Sequence, residues 1–149
     1  MKKVLILLII LLICLTGCNR EITKTCEIST NEYKQKWTYK VDGEKINKIE
    51  LNITYDNSIF GNVESFASLT KNEEQELKKA ILSNLGFDKD SYDGFKIDIL
   101  VNDNINVKVK IDIEKADKEL LSKIGLDLDQ NRNIDSTIVE MKENGATCR

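Results

Sequence analysis

Residues 95–113 read Phe95-Lys96-Ile97-Asp98-Ile99-Leu100-Val101-Asn102-Asp103-Asn104-Ile105-Asn106-Val107-Lys108-Val109-Lys110-Ile111-Asp112-Ile113. Apolar side chains recur at every second place on both sides of Asn102-Asp103-Asn104. A period of two is the signature of a strand with one buried face. Asp103 as the centre of the turn pairs Val101 with Ile105 and Ile99 with Val107 on one face. On the other face it sets Asp98 opposite Lys108, a favourable cross-strand pair. A slip of one residue would turn five branched aliphatics into water, so the register is strongly specified.

Toward the N-terminus the same period returns. Tyr33, Gln35, Trp37, Tyr39 and Val41 alternate with Lys34, Lys36, Thr38 and Lys40. Asp42-Gly43 is a hairpin signal, and Ile49, Leu51, Ile53 and Tyr55 share one face of the strand that follows, over Lys45 to Tyr55. Ile46 falls on the opposite parity, which predicts a bulge or a late strand start. Cys26 and Ile28 open a first short strand, with a turn over Ser29 to Asn31. Asp56 to Leu69 carries no clear period; Phe60 and Phe66 are available there to plug a core edge.

Helical spacing appears in three places. Thr70-Lys71-Asn72-Glu73 is a capping box, and Leu77, Ala80, Ile81 and Leu85 form the stripe behind it, stopped by Gly86. Asp117 to Ile124 makes a short helix ended by Gly125. After a polar loop over Leu126 to Asn133, the stretch Ile134 to Asn144 makes a last helix with Ile134, Ile138 and Met141 on one side. The expected architecture is α+β: an antiparallel sheet of about five strands in hairpins and a meander, packed on one face by two or three α-helices.

The N-terminus has a different character. Lys2 and Lys3 precede twelve apolar residues, Val4 to Leu15. That is a signal-peptide length, short of the roughly 20 residues a membrane-crossing helix needs. Leu15-Thr16-Gly17-Cys18 has the form of a bacterial lipobox. Residues 1–17 are therefore read as an export signal and Cys18 as a site of acylation by palmitate-type chains. Residues 18–25 form a short tether, reaching about 20 Å when extended, and residues 26–149 a single domain. A secreted, unacylated protein is the alternative. One acyl chain holds a membrane only reversibly.

The chain has 149 residues, 22 basic and 25 acidic side chains, no histidine and no proline. Loss of residues 1–17 leaves 132, enough for one domain with a core. Lys2 and Lys3 leave with them, so 20 basic groups face 25 acidic ones and the net charge is −5. An acidic balance argues against nucleic acid as a partner. The lack of histidine removes the commonest general base and metal ligand, which argues against a triad hydrolase and a zinc site. Of the four cysteines, Cys14 lies in the signal and Cys18 carries the lipid. Cys26 and Cys148 stand near the two ends of the domain, where export permits a disulfide. Such a bridge closes a loop of about 120 residues, nominally just under 5 kcal/mol in the chain-entropy model. Two free, buried thiols are the alternative.

With the lipobox, the tyrosine-rich first hairpin, the Glu44-Lys45-Ile46-Asn47-Lys48 segment and the Gly145-Ala146-Thr147-Cys148 tail together, the chain resembles the YehR-like small bacterial lipoproteins. The resemblance implies an antiparallel sheet with packed helices, an envelope location and a diacyl or triacyl anchor. It implies no activity.

Three surface features invite a chemical reading. Asp127, Asp129, Asn131, Asn133 and Asp135 place oxygens at alternate positions of an EF-hand-like loop, but Arg132 stands at the glycine position and Ile138 at that of the closing glutamate. A polar loop in which Asn133 or Asp135 caps the next helix is the competing reading. The Asp88, Asp90, Asp93 cluster reads as a turn. Lys34, Lys36, Lys40, Lys108 and Lys110 lie on the outer faces of two hairpins; if these faces adjoin, they make a basic patch suited to anionic headgroups or wall polymers. The aromatic stripe Tyr33, Trp37, Tyr39, Tyr55 reads as core before it reads as a ligand shelf. No spacing nominates a catalytic pair and no cofactor is implied. The function expected is a non-enzymatic binding or structural lipoprotein at the outer face of the cell membrane, with an envelope protein or wall component as partner. The alternative is a small-ligand or calcium-binding lipoprotein using the 127–135 loop.

Overall fold

The computed structural model describes residues 21–56, 66–123 and 133–149. The proposed signal, Cys18, Phe60 and the loop residues Asp127, Asp129 and Asn131 lie outside them.

The 95–113 stretch forms the hairpin its alternation demands. Strands β5 (Phe95–Val101) and β6 (Ile105–Asp112) pair antiparallel with Val101 opposite Ile105, Ile99 opposite Val107 and Asp98 opposite Lys108. Strands β1 (Ile22–Ser29), β2 (Tyr33–Asp42) and β3 (Lys45–Tyr55) make the expected meander. Val41 pairs with Ile46 but Lys40 pairs with Lys48, so Asn47 is the extra residue of a bulge. The bulge is what returns Ile46 to the buried face, where it is fully enclosed. Gly43 turns the hairpin at φ 62°, a conformation that costs glycine little.

Among the described residues the sheet has seven strands, in the order β4-β5-β6-β3-β2-β1-β7, rather than about five. The two additional strands are pairs of residues: β4 (Ser91–Tyr92) against β5 and β7 (Thr147–Cys148) against β1. Two residues carry no periodicity, so only their partners reveal them. β1 also starts earlier than expected. Ile22 to Thr25, assigned to the tether, pair with β2 from Val41 to Thr38, because β2 is long enough to offer them a ladder.

Helices α1 (Lys71–Asn84), α2 (Lys118–Lys123) and α3 (Ile134–Glu143) supply the other layer. Thr70 caps α1 through the predicted box: its hydroxyl oxygen accepts from the Glu73 N–H, and the Glu73 carboxylate accepts from the Thr70 N–H at 2.8 Å. The core is a single cluster. Ile97, Ile99, Ile105, Val107, Ile111, Ile49 and Tyr39 are buried on one side of the sheet, and Leu77, Ile81, Leu121, Ile134, Ile138 and Met141 of the helices join them. The aromatic stripe belongs here: Tyr39 is buried, with Trp37 stacked on it at 6.3 Å, while Tyr33 and Tyr55 are half-buried beside each other. Burial raises the Tyr39 hydroxyl pKa well above its ordinary value, and the nearby Glu140 charge adds to the shift.

Candidate functional site

Alternation puts the charged residues of the same strands on the face that the helices leave open. Since β3 lies between β2 and β6, the two lysine-bearing hairpins become one surface. The register orders it in rows. One row runs Asp98, Lys108, Asn52, Lys36, Glu27, and its neighbour runs Lys96, Lys110, Glu50, Thr38, Thr25. The five lysines predicted as a patch all lie on this face, but Glu21 just before β1, Glu27 of β1 and Glu50 of β3 divide them. Lys36 meets Glu27 at 3.3 Å, Lys40 meets Glu21 at 3.2 Å and Lys108 meets Glu50 at 2.7 Å. Lys34 stands at the far end, near the β1–β2 turn.

At the opposite end the face dips into a groove of about 500 Å³. Its charged lining is Lys40, Lys48, Lys96, Lys110, Glu50 and Asp112, four cations against two anions on a chain of opposite balance. Two of its cross-strand partnerships are lysine against lysine: Lys40 opposite Lys48, and Lys96 opposite Lys110. Like charges directly opposite destabilise a sheet. The outer member of each pair is compensated, Lys40 by Glu21 and Lys96 by Asp98 at 2.9 Å. The inner members Lys48 and Lys110 make no salt bridge to any described residue. Glu50 is drawn to the neighbouring row, where Lys108 and the Asn52 amide donate to it; those contacts, with the charge of Lys110 opposite, hold its carboxyl below the usual range.

Lys48 and Lys96 are groove residues that the patch expectation lacked. Lys96 was legible: the register that sets Asp98 opposite Lys108 also sets Lys96 opposite Lys110. Lys48 was not, because the bulge at Asn47 shifts which residue faces Lys40.

The other candidates separate from this groove. Cys26 and Cys148 are joined by a disulfide that pins β7 to β1, with Arg149 and Thr25 exchanging backbone hydrogen bonds of 2.9 Å beside it. Asn133 is the N-cap of α3: its side-chain oxygen accepts from the Asp135 N–H at 2.9 Å and the Ser136 N–H at 3.2 Å. Asp135 sits in the first turn, where the helix dipole favours a negative charge. Asp88 accepts from the Tyr92 hydroxyl, and the Asp90 carbonyl accepts from the Ile97 N–H at 2.7 Å, so that cluster is engaged in turn structure. Among the described residues no three His, Cys, Asp or Glu side chains gather as a metal site, and no helix is long and apolar enough to cross a membrane.

No family model matches the chain, and no curated protein matches it. Two solved structures share its fold. The NMR structure of the E. coli YehR protein aligns over 88% of this chain and 92% of its own, with a TM-score of 0.63 and 18% identity. The NMR structure of a Streptococcus pneumoniae TIGR4 protein aligns over 90% and 88%, with a TM-score of 0.56 and 17% identity. The fold is YehR-like.

Proposed function

We propose that the chain is an extracytoplasmic lipoprotein, held to the cell membrane by acyl chains on Cys18, whose domain is a non-enzymatic binding module of the envelope. The observation that carries this reading is the disulfide between β1 and β7, a bond that persists in oxidising compartments, in a chain that opens with a charged start, an apolar run and Leu15-Thr16-Gly17-Cys18. The YehR-like fold agrees with the lipoprotein resemblance. Its open charged face supplies the binding surface.

Expression in a bacterial host with a labelled fatty acid tests it. The wild-type chain takes up label and fractionates with the membrane, and the Cys18→Ser chain does neither. An unlabelled wild-type chain would overturn the proposal. The calcium-loop reading is weaker, because the Asn133 oxygen is already committed to a helix cap. A flat calorimetric titration with calcium removes it.

A further inference from the structure

We infer that the groove at the Lys40–Lys48 end of the open face receives the phosphate of an anionic lipid headgroup from the membrane that carries the anchor. The inference rests on the Cys18 anchor proposed above.

Charge is the first argument. The groove lining has four lysines against two carboxylates, whereas the chain after Cys18 is net acidic. The two lysine–lysine partnerships cost the sheet stability, and an anion seated between Lys48 and Lys110 relieves both at once. Glu50 stands opposite Lys110 and Asp112 opposite Lys48, but the salt bridges of these carboxylates go to Lys108 and Lys115 instead.

Position is the second argument. Only two residues, Asn19 and Arg20, separate Cys18 from Glu21, a reach of about 11 Å at full extension. Glu21 itself holds Lys40, on the groove lining, at 3.2 Å. β1 enters the sheet at Ile22, opposite Val41, so the start of β1 and the groove lie at the same end of the sheet. Lys34 stands at the other end, opposite Ser29. Lys40 and Lys48 of the groove lie toward the end of the sheet that a short tether brings to the headgroup layer, where each lysine contributes to attraction toward anionic lipid.

The test uses the mature chain beginning at residue 18 with Cys18→Ser, so that no acyl group supplies the binding. Co-sedimentation with phosphatidylglycerol-containing vesicles exceeds that with pure phosphatidylcholine and weakens as salt rises. The Lys48→Glu/Lys110→Glu variant loses the difference by at least about tenfold, the milder Lys48→Gln/Lys110→Gln variant loses part of it, and Lys34→Glu retains it. Far-ultraviolet circular dichroism checks that each variant is folded. Equal binding to both vesicles, or binding that survives the groove reversal, overturns the inference. So does protection against thermal unfolding by soluble glycerol phosphate without any vesicle preference. Acylation of the wild-type chain is read separately, so a failed groove and a failed anchor give different results.

Discussion

The two faces of the sheet are made by the same strands and obey different rules. On the helix side the register sets Ile97, Val109, Leu51, Trp37, Cys26 and Cys148 in one row; one residue along, on the open side, it sets Asp98, Lys108, Asn52, Lys36, Glu27 and Thr147. The inner row is governed by volume, and a misfit there leaves a cavity. The outer row is governed by the order of signs, and a misfit there is largely screened by water. Stability therefore resides mainly on the helix side, and substitutions on the two sides should differ by several-fold in their effect on folding.

The largest effect expected is at the end of the inner row. Cys148→Ser opens a loop of 122 residues and lowers unfolding free energy by about 4 kcal/mol, read as a fall in the urea midpoint under non-reducing conditions. An unchanged midpoint would mean the clasp is not closed in the folded protein. Next comes the core: Ile105, with no exposed surface, costs about 3 kcal/mol when cut to alanine, within a range of about 2–5. Its counterpart outside, Lys110→Ala, stays within about 0.5 kcal/mol. If the two alanine variants melt together, the contrast between the faces fails.

A smaller loss belongs to the helical cover. Thr70→Ala removes the α1 cap and costs about 1 kcal/mol, measured by the same denaturation. The least effect is on the open face and depends on pH. The Glu50 carboxyl is held below its ordinary value of 4.5, first by the Lys108 hydrogen bond. A lowered carboxyl pKa stabilises the fold above its unfolded value and loses that contribution as pH falls through the folded value. Lys108→Ala should therefore lower stability slightly at neutral pH and leave it nearly unchanged once the pH has fallen below the folded Glu50 value. A wild-type advantage that persists in acid contradicts the pairing.

Most of the individual elements were legible because each rests on a local rule. The β5–β6 register follows from alternation about Asp103, the α1 start from the Thr70–Glu73 box, and the bulge from the wrong parity of Ile46. What escaped was structure too short to have a period. Ser91–Tyr92 and Thr147–Cys148 are strands because β5 and β1 offer them partners, and Ile22–Thr25 joins β1 because β2 extends beside it. The groove was half legible for the same reason: Lys96 and Lys110 follow from one hairpin, while Lys40 and Lys48 meet only once the bulge has been counted.

The sequence by itself determined which residues face inward and where each hairpin turns, since these depend on neighbours a few places apart. Tertiary structure alone decided that β3 lies against β6, that Cys26 and Cys148 close a bridge rather than stay free thiols, and that two lysine pairs share one hollow. Those arrangements join residues tens of positions apart. Such contacts form only when the apolar faces of separate hairpins are buried together under the helices, a gain that no single segment can make.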